Sequence, residues 1–254
     1  MHWIKFNPDD PFEIATNSGK RLLFLSWSLG VSKFEYYSPS ISKGDYNSKG
    51  SYNAAYTKTV FIPGTEMAVT GTESGDILVF DRSLIIEGIG EQNEKRIIKI
   101  VTLNQKQTPI TQLMTYEDYL VVGNSDGTIR FYDFCFKVVA WFEDLNLSTI
   151  KSISFCKKAP VDAKGEHNQE QKSGSFKCSD FIVSDSSAMV VQLKSSIFEA
   201  IDSSKKKGTT LMHGLKSSIS AIAVHPTRTL LAIAGGEGFI ILWDYVKKGD
   251  PIVH

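Results

Sequence analysis

The sequence predicts an all-β fold assembled from about five copies of one four-stranded sheet unit, a β-propeller. Three observations predict it. An apolar run, a proline, a second run, a Gly-containing turn, a third run and an aromatic-Asp pair recur along the chain. The copies end at Trp27, Asp81, Asp133, Lys194 and Asp244, at intervals of 54, 52, 61 and 50. The 61 falls to 61 − 19 = 42 without a polar insert, near the roughly 40–45-residue period of propeller blades. Helical periodicity is nearly absent, with only Ser195–Ser204 (SSIFEAIDSS) able to form a short helix.

The first copy runs from Trp3 to Trp27 and holds IKFNP, EIATNSG and RLLFLSW. The interval from Pro8 to Trp27 is longer by two positions than that from Pro226 to Trp243, which predicts two residues inserted around Asp9–Phe12. The second copy, Thr57 to Asp81, reads TKTVFIPGTEMAVTGTESGDILVFD, and its Pro63-to-Asp81 interval is 81 − 63 = 18. The third, Ile110 to Asp133, reads ITQLMTYEDYLVVGNSDGTIRFYD. Its Gly127 precedes Asp133 by the same interval as Gly75 precedes Asp81 and Gly238 precedes Asp244.

The fourth copy starts at Ile150 (IKSISFCK) and resumes at Asp180 (DFIVSDSSAMVVQLK). Lys157 takes the proline position and Lys194 the Asp position, an interval of 37 and an excess of 37 − 18 = 19. The polar tract Ala159–Ser179 accounts for that excess. The fifth copy, Ile219 to Asp244, reads ISAIAVHPTRTLLAIAGGEGFIILWD, and its Pro226-to-Asp244 interval is again 244 − 226 = 18. The blades are expected near 1–53, 54–108, 109–147, 148–217 and 218–254, with the polar insert at 159–179.

Within each copy the runs VFI, AVT, ILVF and FIILW are rich in β-branched and aromatic residues and bounded by turn residues such as Ser125-Asp126-Gly127. They are continuous rather than alternating, as expected for strands covered on both faces. Outer fourth strands are expected at Lys33–Tyr37, Arg96–Leu103, Lys137–Phe142 and Thr209–His213. None is expected after Asp244, so the fifth blade reads as incomplete.

Through Phe80-Asp81, Tyr132-Asp133 and Trp243-Asp244 the sequence resembles the WD-repeat (WD40) family over most of its length. That family usually has seven blades, so the resemblance implies a partial propeller, a piece of a longer chain. A narrower resemblance rests on HWIKFNPDDPFEIATNS, the second- and third-copy phrases above, IKSISFCK and the polar insert after Phe155. Together they resemble the cilia- and flagella-associated protein 251 family of WD-repeat proteins. That resemblance implies a non-catalytic scaffold of the ciliary axoneme, in the calmodulin- and spoke-associated complex at the base of the third radial spoke. It implies docking of the spoke base to the doublet microtubule and a contribution to ciliary motility. The implied partners are radial spoke base and complex subunits and tubulin. Calcium motifs of some members are not matched here, and no basic amphipathic calmodulin target is visible. The alternative reading is a generic WD-repeat adaptor, a substrate receptor or trafficking scaffold.

Composition narrows the classes. Lys+Arg total 28 and Asp+Glu total 28, a formal net charge of zero that argues against electrostatic capture of nucleic acid or an acidic membrane. No stretch approaches the roughly 18 consecutive apolar residues of a spanning helix. The N-terminal MHWIKFNPDD has no apolar signal core. Cys135, Cys156 and Cys178 form no CxxC pair or disulfide framework, as expected in a reducing compartment.

Chemistry motifs read as structure. Gly123-Asn124-Ser125-Asp126-Gly127 matches the GxSxG hydrolase turn, but the following TIRFYDF is a strand where that motif needs a helix. Its likeness to a calcium loop fails at Val122, which cannot ligate. A hairpin turn explains it. Gly88-Ile89-Gly90 reads as a loop, because Asn93 replaces the third glycine of a dinucleotide motif. His2, His167, His213, His225 and His254 lack metal-ligand spacing, and His225 reads as a turn residue. Lys205-Lys206-Lys207 reads as a solvated loop or a contact for an acidic partner such as tubulin, and the sequon at Asn146 as silent. The repeated Asp residues read as buried acceptors of turn hydrogen bonds. Small residues Ala68, Thr70, Ala232 and Ala234 are expected on inner strands, which argues against a polar catalytic channel. No enzyme activity, cofactor, metal or catalytic residue is assigned. Tyr37–Asn53 and Ala159–Ser179 are the candidate binding loops.

Overall fold

The computed structural model describes residues 2–28, 30, 33–39, 54–82, 94–103, 106–156, 176, 178–194, 208–213, 219–235, 238–247 and 252–253. The described residues hold twenty strands and no helix. They form five antiparallel four-stranded sheets, each a meander in chain order. The first sheet is β1 (Trp3–Phe6), β2 (Glu13–Asn17), β3 (Leu22–Trp27) and β4 (Phe34–Tyr37); the second is β5 (Tyr56–Phe61), β6 (Ala68–Thr72), β7 (Asp76–Asp81) and β8 (Arg96–Thr102). The third is β9 (Ile110–Tyr116), β10 (Tyr119–Asn124), β11 (Ile129–Tyr132) and β12 (Val138–Phe142). The fourth is β13 (Ile150–Phe155), β14 (Phe181–Asp185), β15 (Met189–Leu193) and β16 (Thr209–His213); the fifth is β17 (Ile219–Val224), β18 (Leu230–Gly235), β19 (Ile240–Asp244) and β20 (Ile252–Val253).

The four outer strands expected from the sequence are β4, β8, β12 and β16. The fifth sheet corrects the reading, because β20 follows Asp244 and pairs Ile252 with Leu242 and Val253 with Ile241. Two residues carry too little pattern to be read as a strand. The expected helix at 195–204 lies outside the described residues.

The first of two compact units spans Met1–Trp141. Its second sheet shows why the apolar runs are continuous. Phe61, Ala68, Phe80 and Ile97 are successive cross-strand partners, so they share one face. They pack against Ala15, Leu22 and Phe24 of the first sheet. Val60, Val69 and Val79 occupy the opposite face and pack with Ile110, Leu113, Leu120, Val122 and Tyr132 of the third. With both faces covered, β6 is buried from end to end and β7 up to Phe80. Phe24 meets Phe61 and Phe80 edge-on, at centroid distances of 6.3 and 5.8 Å. Such pairs contribute about 0.5–1.5 kcal/mol each beyond the area they bury.

Register also corrects the first copy. Phe6 pairs with Ile14, Ile14 with Leu25 and Leu25 with Tyr36. Leu25, not Trp27, therefore occupies the column held by Phe80 and Trp243. The interval from Pro8 to Leu25 equals those from Pro63 to Phe80 and from Pro226 to Trp243. No net insertion is present. Trp27 extends β3 by one further pleat and packs on Phe12 at 6.1 Å.

The second unit spans Phe142–His254. Phe181 is fully buried and packs with Phe142 and Phe155 at 5.6 and 5.2 Å. Phe155, Phe181 and Leu193 are successive partners. The register thus resumes correctly across the insert, as the length of the excess requires. In the fifth sheet, by contrast, all of β17 is exposed.

Candidate interaction surface

Of the first strands of the three sheets in the first unit, β5 adjoins both β1 and β9. They carry Trp3, Lys58 and Gln112 rather than the small residues expected. Ala68 and Thr70 lie instead on β6, and Ala232 and Ala234 on β18, each the second strand of its sheet. The Trp3 indole donates to the Thr59 carbonyl at 2.8 Å. Lys58 Nζ sits 4.2 Å above the Trp3 ring and donates to Gln112 Oε1 at 2.5 Å. Partial burial lowers the Lys58 pKa below the usual lysine value. Asn17 Nδ2 donates to the Thr57 carbonyl at 3.1 Å, Thr59 Oγ1 donates to Asn17 Oδ1, and the Thr59 and Thr70 hydroxyls share a bond of 2.9 Å. These groups are spent on joining one sheet to the next. They contain no nucleophile held by a base.

A second polar assembly joins the first two sheets. Lys95, at the entry to β8, is buried, and its Nζ donates to the Glu66 carbonyl at 2.8 Å. It also lies 3.2 Å from Glu13 Oε1 and 3.4 Å from Glu66 Oε2. Arg82 approaches both carboxylates at 3.6 and 3.4 Å. Asn7 Nδ2 donates to Glu13 Oε2 at 2.7 Å, and the Lys95 amide donates to the Tyr37 hydroxyl at 2.7 Å. Two cations face two carboxylates, so the cluster is neutral as a whole. Burial pushes the Tyr37 pKa up to about 12. Sequence reasoning misses this cluster: Glu13 and Lys95 are far apart in the chain and neither sits in a motif.

The motif candidates resolve as turns. Gly127 adopts φ +80°, Asn124 pairs its amide with the Thr128 carbonyl, and Asp126 Oδ1 accepts from the Thr128 amide and hydroxyl. Strands β10 and β11 flank this turn, which is a hairpin and not a hydrolase elbow. Asp126 is engaged by its own turn. Among the described residues no group of three His, Cys, Asp or Glu could hold a metal. His225 Nδ1 accepts the amides of Thr227 and Arg228, a turn role. No helix among the described residues is long and apolar enough to cross a membrane.

The blade-ending carboxylates also close turns. Asp133 Oδ1 accepts from the Cys135 and Lys137 amides, and Asp244 Oδ1 from those of Val246 and Lys247 and from the Thr229 hydroxyl. The Lys247 amide is the largest cause holding the Asp244 pKa below the usual carboxylate value. Asp81, Asp133 and Asp244 are half-buried, where the sequence suggests full burial. The buried carboxylates among the described residues include Asp76, which accepts from the Ser74 and Thr102 hydroxyls, and Asp185, which accepts from the Ser187 and Met189 amides of its turn.

Most of Tyr37–Asn53 and of Ala159–Ser179, and all of Gly88–Gly90 and Lys205–Lys207, lie outside the described residues, as do His167 and His254. Among the described residues, exposed large apolar side chains gather on the first sheet (Ile4, Phe6, Trp27, Phe34 and Tyr36), on β12 (Val138, Val139 and Trp141) and on the fifth sheet (Ile219, Ile222, Val224, Ile240, Leu242 and Ile252). These positions, all among the described residues, form a surface of apolar side chains and turns.

Residues 2–198 match the model of the CFAP251 N-terminal domain, and residues 205–244 match the WD domain, G-beta repeat. A cilia- and flagella-associated protein 251 of Tetrahymena thermophila is 37% identical over 99% of this chain and 26% of its own length. The protein of that name from Chlamydomonas reinhardtii is 33% identical over 97% of this chain and 30% of its own. The mouse protein of that name is 26% identical over 96% of this chain and 18% of its own. The chain thus spans less than a third of the length of these relatives. Among solved structures, the WD40 β-propeller domain of Doa1 has a TM-score of 0.50 at 11% identity, covering 98% of this chain and 66% of that one. At that identity the likeness shows the fold alone, a WD40 β-propeller architecture. By the match over residues 2–198 and the relatives' near-complete coverage of it, the chain belongs to the cilia- and flagella-associated protein 251 family.

Proposed function

We propose that the chain is a non-catalytic scaffold segment of the ciliary axoneme, helping to dock a radial spoke base to the doublet microtubule and so contributing to motility. The observation that carries this reading is the family match over residues 2–198, with relatives from ciliate, alga and mouse all named as cilia- and flagella-associated. The physical properties of the fold support it. Sheets tied by Trp3, Asn17, Thr59 and the Glu13–Lys95 cluster form a stiff body, and turns and loops are free to vary around it. A zero net charge suits fixed protein contacts better than nucleic acid or membrane capture. The partners proposed are spoke-base and calmodulin- and spoke-associated complex subunits, with tubulin contacted by surface lysines.

The test is quantitative cross-linking mass spectrometry on intact cilia of the source organism. Links from Lys43, Lys49, Lys164 or Lys205–Lys207 to spoke-base subunits or tubulin are expected. Absence of the chain's peptides from cilia, or links only to cytosolic ligase or coat subunits, overturns the reading.

A further inference from the structure

The fourth sheet relates two cysteines that the sequence keeps apart. Cys156 and Cys178 are separated by 178 − 156 = 22 positions, too far for a local motif. Strands β13 and β14 pair with Ser154 opposite Ile182 and Phe155 opposite Phe181, where the ladder ends. One further bond continues the register, from the Cys156 amide to the Asp180 carbonyl at 2.8 Å. Cys156 therefore stands opposite Asp180, and Cys178 precedes Asp180 by two positions. By the two-residue alternation of extended chain, Cys156, Asp180 and Cys178 fall on one face, and Phe155 and Phe181 on the other. The two cysteines are thus diagonal cross-strand neighbours. Both are thiols in the structure, Cys156 exposed and Cys178 half-buried.

From this geometry we infer that Cys156 and Cys178 form a redox-sensitive clasp, a reversible disulfide that ties the end of β13 to the entry of β14. Diagonal neighbours lie about 7–8 Å apart, with Cβ atoms somewhat closer. A disulfide holds its Cα atoms about 4.4–6.8 Å apart. The two chains must therefore approach by roughly 1 Å. They can do so because Cys178 lies outside the strands and the ladder has already ended. A bond closed against that displacement is strained and readily reduced, which suits a switch and not a permanent staple. The oxidant is hydrogen peroxide. The exposed Cys156 sulfur, as thiolate, attacks one peroxide oxygen; the O–O bond breaks, Cys156 becomes a sulfenic acid, and hydroxide leaves and takes up the thiol proton as water. The Cys178 sulfur then attacks the Cys156 sulfur, and the hydroxyl leaves as a second water with the Cys178 proton. Two thiols and one peroxide give one disulfide and two waters. Reduced glutathione, itself oxidised to its disulfide, restores the thiols by exchange. Cys135 belongs to another sheet, in the turn between β11 and β12, and takes no part. The inference concerns the fourth sheet alone and stands independently of the ciliary reading.

The experiment treats the intact polypeptide, isolated from its source under reducing conditions and then freed of reductant, with a small excess of hydrogen peroxide. Remaining thiols are blocked with N-ethylmaleimide, and the digest is read by mass spectrometry. A peptide pair linked through Cys156 and Cys178 is expected, several-fold more abundant than any other pairing of either residue, and it should disappear on adding reduced glutathione. Amide exchange at Cys156 should slow several-fold in the oxidised form, because the clasp closes beside the bond to Asp180. With Cys178→Ser, Cys156 should halt at the sulfenic acid and take up dimedone. With Cys156→Ser, Cys178 should stay a thiol at the same dose of peroxide. Conversion of Cys156 to sulfinic acid while Cys178 remains a thiol overturns the pairing. Indiscriminate pairing, or a linked peptide that forms only in urea, shows that the fold does not align the two sulfurs and sinks the inference. A bond that an excess of reduced glutathione fails to open contradicts the switch.

Discussion

Lys95 Nζ lies 3.2 Å from Glu13 Oε1, with side-chain exposures of 0% and 5%, and this pair locks the second sheet to the first. A buried ion pair is weak evidence of net stabilisation, but removing one member leaves the other uncompensated, which costs about 3–5 kcal/mol. Glu13→Ala is expected to fall near the lower end, because Glu66 remains within reach of the ammonium. The double change Glu13→Leu with Lys95→Met is expected to be less destabilising than the two single changes added together. Urea unfolding of the four proteins measures this coupling.

Asp185 is the polar hub of the fourth sheet. Its Oδ1 accepts from the Ser187 and Met189 amides and its Oδ2 from the Ser148 amide. Asp185→Ala orphans three donors and is expected to cost about 1–3 kcal/mol or more. Hydrogen exchange at Ser148, Ser187 and Met189 should accelerate most, which locates the loss in that turn.

Gly75 and Gly238 occupy equivalent turns with φ +81° and +84°, yet an added methyl meets different surroundings. At Gly238 it meets open space, so Gly238→Ala is expected to cost only the left-handed backbone strain, about 1–2 kcal/mol. At Gly75 it would sit 2.7 Å from the Thr108 carbonyl oxygen, so Gly75→Ala should cost more. Denaturation midpoints of the two variants, measured side by side, test the ordering.

Burial raises the Tyr37 pKa to about 12, above its ordinary value of 10.0. The folded state therefore holds this proton more tightly than the unfolded state. The stability associated with it is complete below pH 10.0 and is lost as pH rises towards 12. Unfolding midpoints are expected to fall across that window, and Tyr37→Phe to flatten part of the slope. Tyr56 and Tyr132, whose pKa values burial also raises, act in the same direction. Tyrosinate absorbance followed alongside the unfolding signal checks the assignment.

The sheet order is legible because the second, third and fifth blades carry recurring punctuation: Pro63 and Pro226, the glycines at 75, 127 and 238, and the closing aromatic-Asp. The hairpin at Asn124–Thr128 is legible for the same local reason. Trp27 misleads because an aromatic at a strand end imitates the column residue, whereas Leu25 fills that column and Trp27 stacks on Phe12. The inner strands mislead because small side chains look like a marker of the centre. The sheets instead meet there through Trp3, Lys58 and Gln112, whose roles depend on neighbours a whole blade away in the chain. Glu13 and Lys95 are invisible for that reason too. An interblade ion pair has no period and no motif, and it exists only once two sheets are stacked.

The join between β13 and β14 has one more consequence. In the second sheet Phe61 and Ala68 are joined by positions 62–67, whereas Phe155 and Phe181, equally in register, are joined by positions 156–180. The Phe142–Phe181–Phe155 ring contacts hold the base of the hairpin regardless of what hangs from it. That makes the position a natural port for cargo. A fluorescent reporter or affinity tag spliced between Lys157 and Ser175 should leave the blade folded, giving a handle on the protein in living cells.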